Sequence, residues 1–139
     1  MNNPTTISVI FDDSKARGIH MCECERALID EAQIMAIDEP EIDPQIVADV
    51  MVAQNIIQQT VALTLNRLPF SLPCIKGLFI LSERQICAIR AVLVAFQVMI
   101  SETLQGDQLT EMGAKELVDK AEKARKLAQA LAQPVSSNS

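Results

Sequence analysis

Aromatic side chains are scarce in this chain of 139 residues, which contains four Phe and neither Trp nor Tyr. Single-stranded nucleic acids are commonly held by stacking bases on aromatic side chains, so that class of ligand is disfavoured. The core must be aliphatic, because hydrophobic residues still make up 49% of the sequence. That share is high for so short a chain, and we expect some apolar surface to remain for a partner.

Positive charge is also in short supply, with 12 Lys and Arg against 18 Asp and Glu and a formal net charge of −6. The deficit is concentrated in residues 12–49, which hold eleven acidic side chains and three basic ones. An acidic segment repels phosphate, so we expect no nucleic-acid partner. Another protein with a basic surface would be electrostatically complementary to it.

No catalytic, metal-binding or nucleotide-binding signature is complete in the sequence. The four Gly stand apart at positions 18, 77, 106 and 113, which is not the pattern of a phosphate-binding loop. There is one His, and no flanking motif marks a nucleophile or a base near it. We therefore predict no catalytic residue and no cofactor, and an enzyme of unfamiliar type stays as one alternative.

The sequence also has little that would direct it to a membrane. Its first residues show neither the basic nor the apolar stretch of a signal peptide. The nearest apolar run, residues 86–100, is broken by Arg90 and Gln97 and falls short of the ~18 residues that a membrane span requires. We expect no membrane partner and a cytoplasmic protein whose cysteines are reduced.

Four segments are predicted to be helical, and together they indicate an all-α bundle of about four helices. In the first, at about 21–37, apolar residues recur at steps of three and four, the spacing of one helical face. The predicted core face consists of Met21, Cys24, Leu28, Ala32 and Met35. Asp38 and Glu39, followed by Pro40, mark the end of this helix.

The second helix is unusual because no charged side chain occurs in residues 50–66. Its start is marked by Asp43, which can cap free N–H groups, and by Pro44, which fits the first helical position. We expect it to end near residue 68. Its polar side is formed by Asn55, Gln59 and Asn66. Interface cores are depleted in charge, so this side is a candidate contact surface, unless the connector at 69–77 covers it.

The third helix, at about 83–105, opens with a capping box of Ser82 and Gln85. It is apolar nearly all round, which is typical of the central helix of a bundle. Arg90 stands out in this helix. It is an anchor for a partner, an anion-binding group, or part of a narrow wet stripe with Glu83 and Gln97. In the last case, which is the commoner arrangement, the stem of its side chain covers apolar surface.

The remaining segments complete the predicted organisation. The fourth helix covers about 111–132, with acidic residues four positions before basic ones. Residues 7–11 could pair with residues 78–81 as a minimal β-ribbon, and residues 12–18 are interpreted as a polar turn. We predict a flexible tail at residues 1–6, a single helical domain at 7–133 and a disordered tail at 134–139.

One cluster could bind a metal. His20, Cys22 and Cys24 would share one face of an extended segment, and a fourth ligand would come from Cys74 or Cys87. On a helix, Cys22 and Cys24 would point in different directions. Structural zinc sites usually have paired Cys-x₂-Cys spacings, which are absent here, so we predict no bound metal. A small-ligand, metal or redox sensor that uses Cys22 and Cys24 stays an alternative.

By elimination, the sequence favours a non-catalytic regulatory protein that binds another protein, as an inhibitor, anti-activator, chaperone or immunity protein does. The candidate contact residues in the acidic segment are Glu23, Asp30, Glu31, Asp38 and Glu39. The polar side of the second helix and Arg90 are the other candidates. Because the second and third helices are so apolar, we also predict a homodimer, the commonest symmetric assembly.

Overall fold

The structure is a computed structural model that describes residues 16–63, 76–106 and 110–132. Of these residues, 77% are helical, in four helices, and a ribbon of two strands supplies the rest of the regular structure. In chain order the elements are β1 (Ala16–Met21), α1 (Glu23–Ile37), α2 (Pro44–Leu63), β2 (Gly77–Ser82), α3 (Glu83–Leu104) and α4 (Glu111–Ala132). The predicted bundle of about four helices with a minimal β-ribbon is confirmed.

Two predicted helix starts are confirmed by their hydrogen bonds. At the start of α2, the backbone N–H of Gln45 donates to Oδ1 of Asp43 at 2.9 Å. At the start of α3, the N–H of Ser82 donates to Oε1 of Gln85 at 2.9 Å, and the N–H of Gln85 donates to Oγ of Ser82 at 3.2 Å. These bonds satisfy N–H groups that a helix cannot pair internally.

The helix α3 lies at the centre of the bundle, as its apolar sequence predicts. It packs against α1, α2, α4 and β2. The buried side chains of α3 are Ile86, Ala88, Ile89, Val92, Leu93, Phe96 and Ile100. Since every other helix contacts α3, this element joins the halves of the chain into one aliphatic core.

The β-ribbon uses a first strand other than the predicted one. Residues 78–81 pair antiparallel with residues 17–20, whereas the predicted strand at 7–11 lies outside the described residues. The prediction of a polar turn at 12–18 is wrong for residues 16–18, which belong to β1. Successive side chains of a strand point to opposite faces, so Ile19 and Met21 are buried with Phe79 and Leu81, while His20, Leu78 and Ile80 are exposed.

The predicted core face of α1 is confirmed for two residues and wrong for two others. Leu28 and Ala32 are buried, but Cys24 and Met35 are exposed. Met21 is buried too, yet it belongs to a strand and not to the helix. Extending a helical phase from Met21 therefore misplaced the face. The residues of α1 that are buried are Leu28, Ile29, Ala32, Gln33 and Ala36.

Candidate functional site

The outward face of α2 is apolar and largely uncovered. Over an 18-residue window of this helix the mean hydropathy is 1.3, although only 17% of the window is buried. The buried residues of α2 are Val50, Ala53 and Ile57. Met51, Val52 and Leu63 are each more than half exposed. Exposed apolar side chains at this density are typical of a surface that contacts something else.

Two of the three polar residues predicted on this helix lie on that outward face. Asn55 and Gln59 are exposed, and Asn66 lies outside the described residues. Steps of four and three residues connect an exposed stripe of Ala48, Val52, Asn55, Gln59 and Ala62. We call this the α2 stripe. It carries no charge, and its regular spacing is the one that lets helices pack along a seam.

Two helices of the structure are long and apolar enough to cross a membrane, judged by length and composition alone. They are α2 and α3, with window hydropathies of 1.3 and 1.6 and buried shares of 17% and 39%. The interruptions at Arg90 and Gln97, which argued against a span, lie within α3. The position of α3 among the other helices accounts for its composition, because a helix enclosed by neighbours is apolar on nearly all sides.

The acidic residues predicted as a partner surface do not all share one environment. Glu31 is bound within the chain, since Nζ of Lys120 on α4 donates to its Oε2 at 2.6 Å. Asp30 accepts a hydrogen bond from Nε2 of Gln54 on α2. Glu23 and Asp38 are exposed, and Glu39 is half-buried. Within residues 16–63, 76–106 and 110–132, Glu31 and Asp30 thus have side-chain partners, whereas Glu23, Asp38 and Glu39 have none.

The surface between the antiparallel neighbours α1 and α2 holds two hollows, one towards each end of the helix pair. At one end it holds a hollow of about 280 Å³ whose lining includes Glu23, Asp30, Gln54, Gln58 and Val61. At the other end, a hollow of about 350 Å³ is lined by Ile37, Asp38, Glu39, Pro40, Val47 and Met51 among others. We call this surface the α1/α2 groove. It brings together an acidic wall from α1 and an uncharged wall from α2, which the sequence treats as separate surfaces.

The carboxyl of Asp30 in this groove is perturbed by its surroundings. Its partial burial raises its pKa above the ordinary value, while the hydrogen bond from Gln54 and the charge of Arg26 oppose that rise. Arg26 is itself engaged, because its Nη1 donates to the carbonyl of Met21 at 3.2 Å and its guanidinium lies 5.5 Å from the ring centroid of Phe79. A further cation close to Asp30 would favour its charged form.

Arg90 makes its contact inside the chain. Its Nε donates to the carbonyl of Ala128 at 3.3 Å, and Nη2 of Arg17 donates to the carbonyl of Leu131 at 2.7 Å. The Leu131 carbonyl is in the last turn of α4, where helical C=O groups run out of internal partners, and the Ala128 carbonyl lies about one turn earlier. The two arginines thus stabilise the end of α4. This contact explains Arg90 structurally, and its prediction as a partner-binding residue stays a prediction.

The cysteine cluster is spread over two elements. His20 is exposed on β1, opposite Leu78. Cys22 precedes the first turn of α1, and Cys24 is exposed within that turn. Cys22, Cys24 and Cys87 are free thiols, whereas Cys74 lies outside the described residues. In the part of the chain that the structure describes, no three His, Cys, Asp or Glu side chains are gathered closely enough to hold a metal ion.

No known protein family, no curated protein and no solved structure matches this chain. Neither a fold relative nor a sequence relative can therefore lend it a function. The most distinctive surfaces of the chain are the α2 stripe and the α1/α2 groove.

Proposed function

We propose that this protein acts by binding another protein, with no catalytic turnover of its own. The observation that best supports the proposal is the uncovered outward face of α2, where Met51, Val52 and Leu63 are more than half exposed. Amide side chains at Asn55 and Gln59 lie between them, and no charge interrupts the surface. Exposed apolar groups, neutral polar groups and absent charge are the composition of an interface core.

The charge of α1 supports a partner with a basic surface. Glu23, Asp30 and Asp38 are exposed along this helix and its end, and they lie beside the uncharged wall of α2. Complementary charge accelerates association and helps to select the partner. The protein would then inhibit, restrain or escort its partner by occupying part of the partner's surface. A cytoplasmic setting, with reduced thiols, belongs to the same proposal.

A second copy of the chain is the proposed occupant of the α2 stripe. A two-fold axis would place this uncharged, regularly spaced stripe against itself, so no like charges would meet. An acidic foreign surface or a basic one would find no charged partner on the stripe. The homodimer would use mainly Val52, Asn55 and Gln59, and the foreign complex would use the side of α2 that faces α1, while Ala48 borders both surfaces.

A protein partner fits the outward face of α2 better than a lipid surface does. Helices that lie on membranes usually combine an apolar face with Lys and Arg, which pair with anionic head groups. Residues 44–63 contain no Lys or Arg, and the acids of α1 lie alongside. Amide groups such as those of Asn55 and Gln59 need hydrogen-bond partners when buried, and another protein can supply them.

The test begins with the full chain as bait in extracts of its native host, followed by mass spectrometry and purification of the captured protein. Calorimetric titration of that protein should give a saturable complex of fixed stoichiometry. Substrate turnover that His20→Ala or Cys22→Ser abolishes would contradict the proposal. So would co-sedimentation with lipid vesicles in the absence of any binding protein.

A further inference from the structure

We propose that the α1/α2 groove is the docking site for a basic amphipathic helix of the partner. This inference rests on the proposed function, and it names both the surface used and the chemistry of the segment that binds. Helix-in-groove recognition needs apolar anchors spaced by helical turns, a groove to receive them and complementary charge around it. The α1/α2 groove supplies hollows that can receive such anchors, and it has charged side chains around them.

The two walls of the groove have the spacing of paired helices. On α1, steps of four and three residues connect Glu23, Ala27, Asp30, Ile34 and Ile37, all of which are exposed. On α2, the same steps connect Val47, Met51, Gln54, Gln58 and Val61. The shorter wall, α1, has 15 residues and a length of about 22 Å. A partner helix of about four turns would match that length.

Apolar anchor side chains of the partner helix would fit at the end of the groove that lies near the connection between α1 and α2. Ile37 and Met51 are more than half exposed there, and with Val47 they line the hollow of about 350 Å³. A Leu, Ile or Met side chain of the partner would fill this hollow and bury the two exposed side chains. Met51 is an adaptable contact, because its unbranched thioether side chain can follow an irregular surface.

Four carboxylates lie at the two ends of the groove. Glu23 and Asp30 line the first hollow, and Asp38 and Glu39 line the second. Among the described residues that line the groove, Arg26 is the one cation, and its guanidinium is held by Met21 and Phe79. Lys or Arg side chains near both ends of the partner helix would meet carboxylates, and their methylene stems would cover Val61 and Met51.

A second copy of this chain is a poorer occupant of the groove. The chain has a net charge of −6, and a two-fold contact through the groove would bring its acidic walls together. Like charges placed opposite each other oppose association. The α2 stripe, which has no charge, carries no such penalty, so the two surfaces suit different occupants.

The first experiment uses a defined probe. A synthetic peptide of 18 residues is made with Leu at helical steps of three and four and Lys on both flanks, and its binding to the full chain is followed by fluorescence anisotropy. The variant Glu23→Gln with Asp30→Asn removes two groove charges and keeps side-chain shape. Its affinity for the peptide should fall about 2- to 30-fold, the effect of losing two exposed ion pairs.

The matched control removes the same charge elsewhere. Glu102 on α3 and Glu116 on α4 are exposed, so Glu102→Gln with Glu116→Gln changes the net charge equally. This control should bind the peptide as the unchanged chain does, apart from a small long-range effect that salt screens. Equal losses in both double variants would overturn the inference, because attraction to net charge would then explain binding.

A second pair of variants tests the apolar anchor. Met51 in the groove is 55% exposed and Val118 on α4 is 53% exposed, so either accepts Lys without disturbing the core. Met51→Lys should abolish measurable binding of the Lys-flanked peptide, since it adds a like charge and removes an anchor contact. Val118→Lys should leave binding unchanged. A matched peptide with Glu in place of every Lys should not bind, and its binding with similar affinity would overturn the inference.

The captured partner distinguishes failure of this inference from failure of the proposed function. If the partner forms its complex equally well with Met51→Lys and with Val118→Lys, and the Lys-flanked peptide does not compete, the groove is not the docking site. The chain would still act by binding a protein. If the chain forms no complex with any protein, the proposed function fails together with this inference.

Discussion

The helices α2 and α3 are similar in composition and differ in surroundings. They contain 20 and 22 residues, and their apolar windows have mean hydropathies of 1.3 and 1.6. The buried share is 17% for α2 and 39% for α3. The helix α3 has neighbours on several sides, whereas α2 packs against α1, α3 and β2 through one face.

The polar residues of the two helices show the same difference. In α3, Arg90 donates to a carbonyl of α4, and Nε2 of Gln97 donates to the carbonyl of Leu93 at 3.4 Å. In α2, Asn55 and Gln59 are exposed. High hydropathy thus indicates that a helix is suited to burial, and the number of neighbouring elements within the chain decides whether the helix is buried there. The exposed apolar side chains of α2 are the reason to infer a partner for this protein.

The largest expected effect comes from the core face of α3. Phe96 is almost fully buried, and Phe96→Ala would leave a cavity among α3's neighbours. We expect the free energy of unfolding to fall by about 3–5 kcal/mol, as measured by urea denaturation. Val94 on the same helix is about half exposed, so Val94→Ala should cost less than about 0.5 kcal/mol. Equal effects of the two substitutions would contradict the central position of α3.

A smaller effect is expected at the polar side of α3. Arg90→Met keeps an unbranched apolar stem but removes the donor to the carbonyl of Ala128. We expect a loss of about 1–2 kcal/mol in the free energy of unfolding, since a bond from a charged donor is lost at a partly buried site. Binding of the partner should be unchanged in the folded variant. Weakened binding at unchanged stability would instead make Arg90 a contact residue.

On α2, a charge should affect assembly far more than stability. Gln59 is exposed, so Gln59→Arg should alter the free energy of unfolding by less than about 0.5 kcal/mol. It should nevertheless convert the dimer to a monomer, because an unpaired charge would be buried in the α2 stripe. Light scattering of the variant should give a mass near 15.3 kDa. The control Gln105→Arg, at the exposed end of α3, should stay dimeric, and a monomeric unchanged chain would refute the homodimer.

The smallest effect is expected at Asp30. Burial raises its pKa in the folded chain, so the carboxylate disfavours folding at neutral pH. Asp30→Asn keeps an acceptor for Gln54 and should stabilise the fold slightly at pH 7, by less than about 0.5 kcal/mol at this exposed site. The gain should vanish as the pH falls through the raised pKa and below 3.8, where the carboxyl is protonated in both states. Urea denaturation across this pH range measures the stability difference between Asp30→Asn and the unchanged chain. A difference that persists at the lowest pH would show that burial of the Asp30 carboxylate is not its cause.

Local signals in the sequence predict most of the fold. The capping residues Asp43, Ser82 and Gln85 act where expected, and α4 has the predicted bounds. The pairing of β1 with β2 was not predictable, because these strands are separated by more than fifty residues and β1 has few β-branched side chains. The wrong phase of α1 has the same origin, since Met21 is buried by strand alternation.

The candidate site was predictable in its parts and not in its arrangement. Charge counts identify Glu23 and Asp30, and the missing charge identifies α2. Only packing shows that Glu31 is bound to Lys120 and that Asp30 lies beside Gln54. The contact of Arg17 with the end of α4 joins residues more than a hundred positions apart, and no local pattern encodes such a contact.

The chain's own methionines can report directly whether a partner protein covers α2. Met51 on α2 is 55% exposed, Met112 on α4 is 74% exposed and Met21 is buried. Peroxide oxidation followed by mass spectrometry would compare the rates of sulfoxide formation in the free chain and in the purified complex. We predict that Met51 becomes protected in the complex while Met112 keeps its rate and Met21 stays unreactive. An unchanged ratio of the Met51 and Met112 oxidation rates would show that the partner does not cover α2.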